Sequence, residues 1–263
     1  MTVEQKAAQL LVAGIEGTEP GEDAVQAVQG YQVGGVILFG RNVESAEQLA
    51  ALTNGLKELN GDYTPLFLCV DQEGGRVDRM PPEVTDLPSA LDFGSIADPE
   101  ARMDACFTLG QTLAAQCAAF GFNMDFAPSL DIWSNPENTV IGDRAFGTDA
   151  ATVTGAANET ALGILSGGVI PVAKHFPGHG DTAVDSHYGL PVVDKSLEEL
   201  EELELRPFRQ AIDTTCGLRY LWGGHLHSCH HGGPHPPESD RPGQPGLPVS
   251  RGGDGAAPGG DGL

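Results

Sequence analysis

Short runs of consecutive apolar residues recur along the first 215 positions, most of them followed by a polar loop and a helical stretch. That alternation constrains the fold more than any other feature. Gly35-Val36-Ile37-Leu38-Phe39, Leu66-Phe67-Leu68-Cys69-Val70, Phe122-Asn123-Met124-Asp125-Phe126 and Val169-Ile170-Pro171-Val172-Ala173 are predicted strands. Near-continuous apolarity implies burial on both faces, as in a parallel sheet covered by helices. Helices are predicted from Val3 to Ala13, from Ser45 to about Leu59, from Asp98-Pro99 to about Phe120, from Ala150 to Leu165, and from Ser196 to about Ile212. Thr2…Gln5, Ser45…Gln48 and Ser196…Glu199 have the spacing of capping boxes, which supply acceptors for the first free helical N–H groups. Pro99 suits a first helical position, where its missing N–H costs nothing. Asp71, Glu73, Asp131, Lys174 and His175 cluster just after strand ends. The expected fold class is therefore α/β, a (β/α) TIM-type barrel, with a doubly wound open sheet as the alternative.

Composition removes several classes of function. The chain has 263 residues, with 14 Lys and Arg against 37 Asp and Glu, a formal net charge of −23. Nucleic-acid binding needs a basic face, so no nucleic-acid partner is expected. No apolar run has the length of a membrane span. Met1-Thr2-Val3-Glu4-Gln5-Lys6 has neither the basic nor the apolar region of a signal peptide, so a cytoplasmic location is expected; an upstream segment stays open. Cys69, Cys106, Cys117, Cys216 and Cys229 lack disulfide spacing. Cys69 in a strand and Cys117 in a helix are expected to be buried free thiols.

From Cys216 the character changes. Residues 216–263 contain 13 glycines and 7 prolines, and hold five of the eight histidines. Such a composition buries too little apolar surface to offset the entropy of ordering it. The expected division is thus a barrel domain over 1–215 and a Gly/Pro/His-rich tail over 216–263. Three readings of the tail are open: an out-of-frame translation of GC-rich DNA, a disordered natural segment, and a metal-binding segment using His225, His227, Cys229, His230, His231 and His235. The loss of pattern just after a helix that should feed a strand favours the first.

Three polar stretches carry the chemistry. In Lys174-His175-Phe176-Pro177-Gly178-His179-Gly180-Asp181-Thr182-Ala183-Val184-Asp185-Ser186-His187, Asp185 precedes His187 by two residues. A carboxylate so placed can orient an imidazole as a general acid/base, although structural Asp–His pairs share the spacing. A metal site from His175, His179, Asp181, Asp185 and His187 is a minor alternative, weakened by the ammonium of Lys174. Asp71-Gln72-Glu73-Gly74-Gly75-Arg76-Val77-Asp78-Arg79 suits multidentate binding of a sugar, or a buried ion-pair network at a barrel rim. Gly142-Asp143-Arg144-Ala145-Phe146-Gly147 adds an arginine in a glycine-bounded loop.

Lys174 to His187, followed by Gly189-Leu190-Pro191, resembles the signature of the β-N-acetylglucosaminidases of glycoside hydrolase family 3. Gly34 to Phe39, Asp71 to Arg76 and Gly142 to Gly147 fall in that family's order and spacing, so the resemblance covers about 1–215. It implies a TIM-type barrel, of which this chain would hold about the first half, and retaining hydrolysis of terminal β-linked N-acetylglucosamine in cell-wall muropeptides. No cofactor and no metal are implied. By position, His187 resembles the acid/base and Asp185 its partner, while Asp71, Arg79, Arg144, Lys174 and His175 resemble the residues that hold the sugar. A retaining enzyme also needs a carboxylate nucleophile. The family carries it on a strand end roughly seventy residues beyond the acid/base motif, where this chain reads Arg251-Gly252-Gly253-Asp254-Gly255. No apolar strand precedes Asp254, and the nucleophile is expected to be missing. The alternatives are a non-catalytic sugar-binding fragment and a metal-dependent hydrolase.

Overall fold

The computed structural model describes residues 1–182 and 195–214. Asp185, His187 and the whole segment from position 215 onward lie outside the described residues. All the described residues fall within one compact unit, Met1–Leu226.

Five strands form a single sheet: β1 (Val12–Gly14), β2 (Gly35–Leu38), β3 (Phe67–Val70), β4 (Met124–Asp125) and β5 (Ile170–Pro171). Every adjacent pair is parallel. Their order in space is the order in sequence, β1-β2-β3-β4-β5. A doubly wound sheet reverses its order at a switch point, whereas a barrel wall advances one strand at a time. The sequential order therefore selects the barrel over the open sheet. Among the described residues β1 and β5 are its edges, and Leu10, Leu11 and Val12 at the β1 edge are exposed.

The helices are α1 (Val3–Ala8), α2 (Glu22–Val25), which runs on as a π-turn over Gln26–Tyr31, α3 (Ala46–Asn60), α4 (Ala90–Gly94), α5 (Pro99–Ala119), α6 (Ala150–Ser166), α7 (Leu197–Glu202) and α8 (Leu205–Thr214). Leu38, Leu68 and Val70 of the sheet, Leu49, Leu52 and Leu56 of α3, Leu109 and Leu113 of α5, and Val153 and Ile164 of α6 are buried in one core. α5 and α6 touch backbone to backbone at Gly110 and Gly163. A Cβ on Gly110 would lie 2.1 Å from the Thr160 carbonyl oxygen, so no other residue fits there. Cys69, Cys106 and Cys117 are buried free thiols, as expected. Among the described residues no helix is long and apolar enough to cross a membrane.

The structure departs from the sequence expectation at several elements. The first helix ends at Ala8 instead of Ala13, and Val12–Gly14 becomes β1, paired with Gly35–Ile37. Propensity there yields to pairing with a buried neighbour. α2 and α4 were not expected; α4 opens with a full capping box, Ser89 and Asp92. Ser45 caps α3, but the Gln48 side chain accepts from Glu44 N instead of closing a box. The single helix expected after Ser196 is two, broken at Leu203–Glu204. Pro207 is the cause: its missing N–H and its ring are tolerated only in the first turn of a helix.

Candidate active site

The site is built at the carboxyl ends of β3, β4 and β5. Parallel pairing continues past the strands through a bridge between Ser129 and Lys174, which carries the β4 and β5 loops forward side by side. Lys174 extends its ammonium across to the β3 loop, 2.5 Å from both Asp71 Oδ1 and Glu73 Oε1. The Gly74-Gly75 turn, with φ of 81° and 56°, folds that loop back. Arg144, from a short 3-10 turn over Gly142–Arg144, donates to both carboxylate oxygens of Glu73 at 2.9 and 2.7 Å. Its Nη2 also lies 3.2 Å from His175 Nε2. A guanidinium only donates, so Nε2 accepts and the Nδ1–H of His175 donates to Asp131 Oδ2, 2.5 Å away.

Asp131 is fully buried and saturated. Its Oδ2 also accepts from Ser129 Oγ and from His175 N, and its Oδ1 accepts from His179 N at 2.6 Å. Burial alone would raise its pKa. The hydrogen bonds from His175, the His179 N–H and the Ser129 hydroxyl outweigh that and hold it below the usual carboxylate range. His179 Nδ1 in turn meets Thr182 Oγ1 at 2.5 Å, and Asn138 Nδ2 donates to the His179 carbonyl at 2.7 Å. This chain of contacts fixes the start of the segment that carries Asp185 and His187.

Glu73 obeys the same balance. Burial pushes it up, but the Arg144 hydrogen bond and the charges of Lys174 and Arg144 hold its pKa at about 2. Its folded pKa is depressed, so the stability it contributes is present above the unfolded value of 4.5 and is lost as pH falls toward about 2. The difference corresponds to about 3 kcal/mol. Acid unfolding followed by circular dichroism should therefore steepen between those limits, and Glu73→Gln should flatten that part of the curve.

Four of the five expected sugar-binding residues, Asp71, Arg144, Lys174 and His175, thus meet in one partly open cluster. His175 is 33% exposed, Asp71 22% and Lys174 12% by side chain, so all three have faces left for a ligand. Arg79 is not hydrogen-bonded to the cluster: its guanidinium donates to the Asp78 carbonyl at 3.1 Å, and its backbone N–H donates to Gln72 Oε1. Arg76 clamps the Thr139–Asp143 loop through three carbonyls and Asp143. The ion-pair-network reading of the Asp71–Arg79 stretch is realised at Glu73, while Asp71 lies at the part-exposed edge of the same cluster. Glu73 and Asp131 were visible as strand-end carboxylates, but nothing local marked them as partners of Arg144 and His175. Of the alternative metal ligands, His179 is engaged by Thr182 and Asp181 by Lys195 at 2.8 Å.

Residues 2–226 match the glycosyl hydrolase family 3 N terminal domain. A β-hexosaminidase of Methylobacillus flagellatus is 36% identical over 218 residues, covering 82% of this chain and 61% of that protein. A family 3 β-N-acetylglucosaminidase structure from Paenibacillus has 41% identity and a TM-score of 0.75, over 82% of this chain and 40% of that one. The native NagZ structure from Neisseria gonorrhoeae gives 37% and 0.69, over 76% and 58%. This chain thus spans about three-fifths or less of the relatives it matches.

Proposed function

The chain belongs to glycosyl hydrolase family 3, and from that premise we propose that it carries the sugar-holding half of a β-N-acetylhexosaminidase site, acting on terminal β-linked N-acetylglucosamine. The observation that supports this most is the Asp71–Lys174–Arg144–His175 cluster at adjacent strand ends. Sugar hydroxyls both donate and accept, so they are held best by fixed charges of both signs. Asp71 and His175 retain open faces, while Glu73 and Asp131 keep Lys174, Arg144 and His175 in place before the ligand arrives.

The reaction proposed for the complete site is a two-step displacement with retention. A carboxylate attacks the anomeric carbon while an acid gives a proton to the departing glycosidic oxygen; water then releases the sugar with the same residue acting as base. His187 is proposed as that acid/base and Asp185 as the group that orients it. His179–Thr182, held by Asp131 and Asn138, anchors the segment they share. No residue is assigned as nucleophile. Terminal N-acetylglucosamine on cell-wall muropeptides is the substrate class proposed for the whole protein.

Titration calorimetry with N-acetylglucosamine tests the sugar-holding role without needing turnover. The chain should bind it, and Asp71→Ala should weaken binding at least about tenfold, the value of one charge-assisted hydrogen bond. Binding of unmodified strength in Asp71→Ala would refute the placement of the sugar.

A further inference from the structure

Behind the open cluster, on the helix-facing side of the sheet, lies a second polar group, of which only the Arg79 N–H to Gln72 contact has been met so far. Asp125, at the end of β4, is fully buried. Its Oδ1 accepts the backbone N–H of Gln72 at 2.9 Å. Gln72 is itself fully buried, and its side chain reaches two further partners. Its Oε1 accepts the Arg79 N–H at 2.8 Å, and its Nε2 donates to Gln116 Oε1 of α5 at 3.0 Å. Gln72 follows Asp71 directly, so the four groups tie down the backbone on both sides of the β3 loop.

A carboxyl here is expensive unless it has a task. The layer between sheet and helices is apolar, and the Cys117 thiol of α5 lies against Asp125. Burial raises Asp125 well above the usual carboxylate range; Asp71 and Glu73 add to this, and the Gln72 N–H and Lys174 oppose it. Its Oδ1 stands as an acceptor aimed at one backbone N–H. β3 ends at Val70 and pairs there with Asp125. The side chain of Asp125 thus takes over as acceptor just where the strand leaves the ladder.

We infer that Asp125 and Gln72 are a positioning pair that fixes where β3 releases its chain, and so sets Asp71 opposite Lys174. The inference rests on the reading of Asp71 as a sugar-binding residue. It explains why a polar pair occupies a layer that Leu and Val could fill.

The test uses the full chain and two readouts. In calorimetry with N-acetylglucosamine, Asp125→Ala should weaken binding about tenfold, while Asp125→Asn, which keeps a neutral acceptor, should stay within about twofold. Asp125→Ala should cost nothing further in an Asp71→Ala background, because it acts through Asp71. The second readout needs no sugar. The Lys174 ammonium, which Glu73 holds as well, should give a slowly exchanging ¹⁵N NMR signal that shifts in Asp125→Ala and in Asp71→Ala and stays in place in Asp125→Asn. Additive losses in the double variant, or an Asp125→Asn as damaging as Asp125→Ala in either readout, would overturn the pairing. Should the unsubstituted chain bind no N-acetylglucosamine, the functional reading fails, and the Lys174 signal alone decides the positioning role.

Discussion

With a chromogenic β-N-acetylglucosaminide, the chain should turn over at least roughly a thousandfold more slowly than a full-length relative, as the reading without a nucleophile requires, since that reading removes covalent catalysis. Among the described residues, the cluster at the ends of β3, β4 and β5 contains no unpaired carboxylate free to attack the anomeric carbon. Glu73 and Asp131 are buried and engaged by cations or hydrogen-bond donors, and Asp71 is paired with Lys174. Steady-state kinetics beside an intact relative give the comparison. Robust turnover that Asp254→Ala abolishes would show that the tail supplies the nucleophile after all. Reading the DNA downstream of codon 215 in all frames is the companion measurement. A frame that restores apolar strands and an aspartate-bearing strand end would show that a complete enzyme is the ancestor.

Arg144→Ala should destabilise the folded chain by about 3–5 kcal/mol, because it removes the two-pronged partner of the buried Glu73 and leaves Lys174 alone beside that carboxylate. The Arg144 and Glu73 side chains are 13% and 5% exposed, and their two parallel hydrogen bonds join the β3 loop to the Gly142–Arg144 turn. In a domain of this size such a loss should lower the melting temperature by roughly 10 °C. Glu73→Gln alone should cost less, since an amide keeps hydrogen bonding and leaves no bare anion. The double variant Arg144→Met, Glu73→Leu should recover much of the loss, as apolar replacements of buried pairs often do. Melting temperatures that are equal for Arg144→Ala and the double variant would show that the pair is not the source of the effect.

Much of this molecule was legible locally. Capping at Thr2, Ser45, Asp98 and Ser196 and the apolar runs behind β2 to β5 depend on neighbours a few residues apart, so the sequence by itself located those elements. The strand-end polar residues announced a site in the same way. β1 escaped notice because Leu10 to Gly14 has the composition of either a helix end or a strand, and only pairing with Gly35–Ile37 decides between them. The break at Leu203–Glu204 was missed for a related reason: the capping box and the apolar spacing outvoted Pro207.

Partnership across the site was settled by tertiary structure alone. Lys174 and Asp71 are 103 residues apart, and Arg144 and Glu73 are 71 apart. Sequence pattern showed that both carboxylates follow β3, but Asp71 turns to the open cluster and Glu73 into the ion-pair network. The Arg79 guanidinium bonds to a carbonyl of its own loop, whereas Arg76, three residues earlier, clamps a different one. The physical reason is register. Each strand's pairing sets how far its loop begins along the barrel axis, and a buried charge then takes whichever opposite charge that offset brings within reach, since leaving it unpaired in an apolar interior costs several kcal/mol.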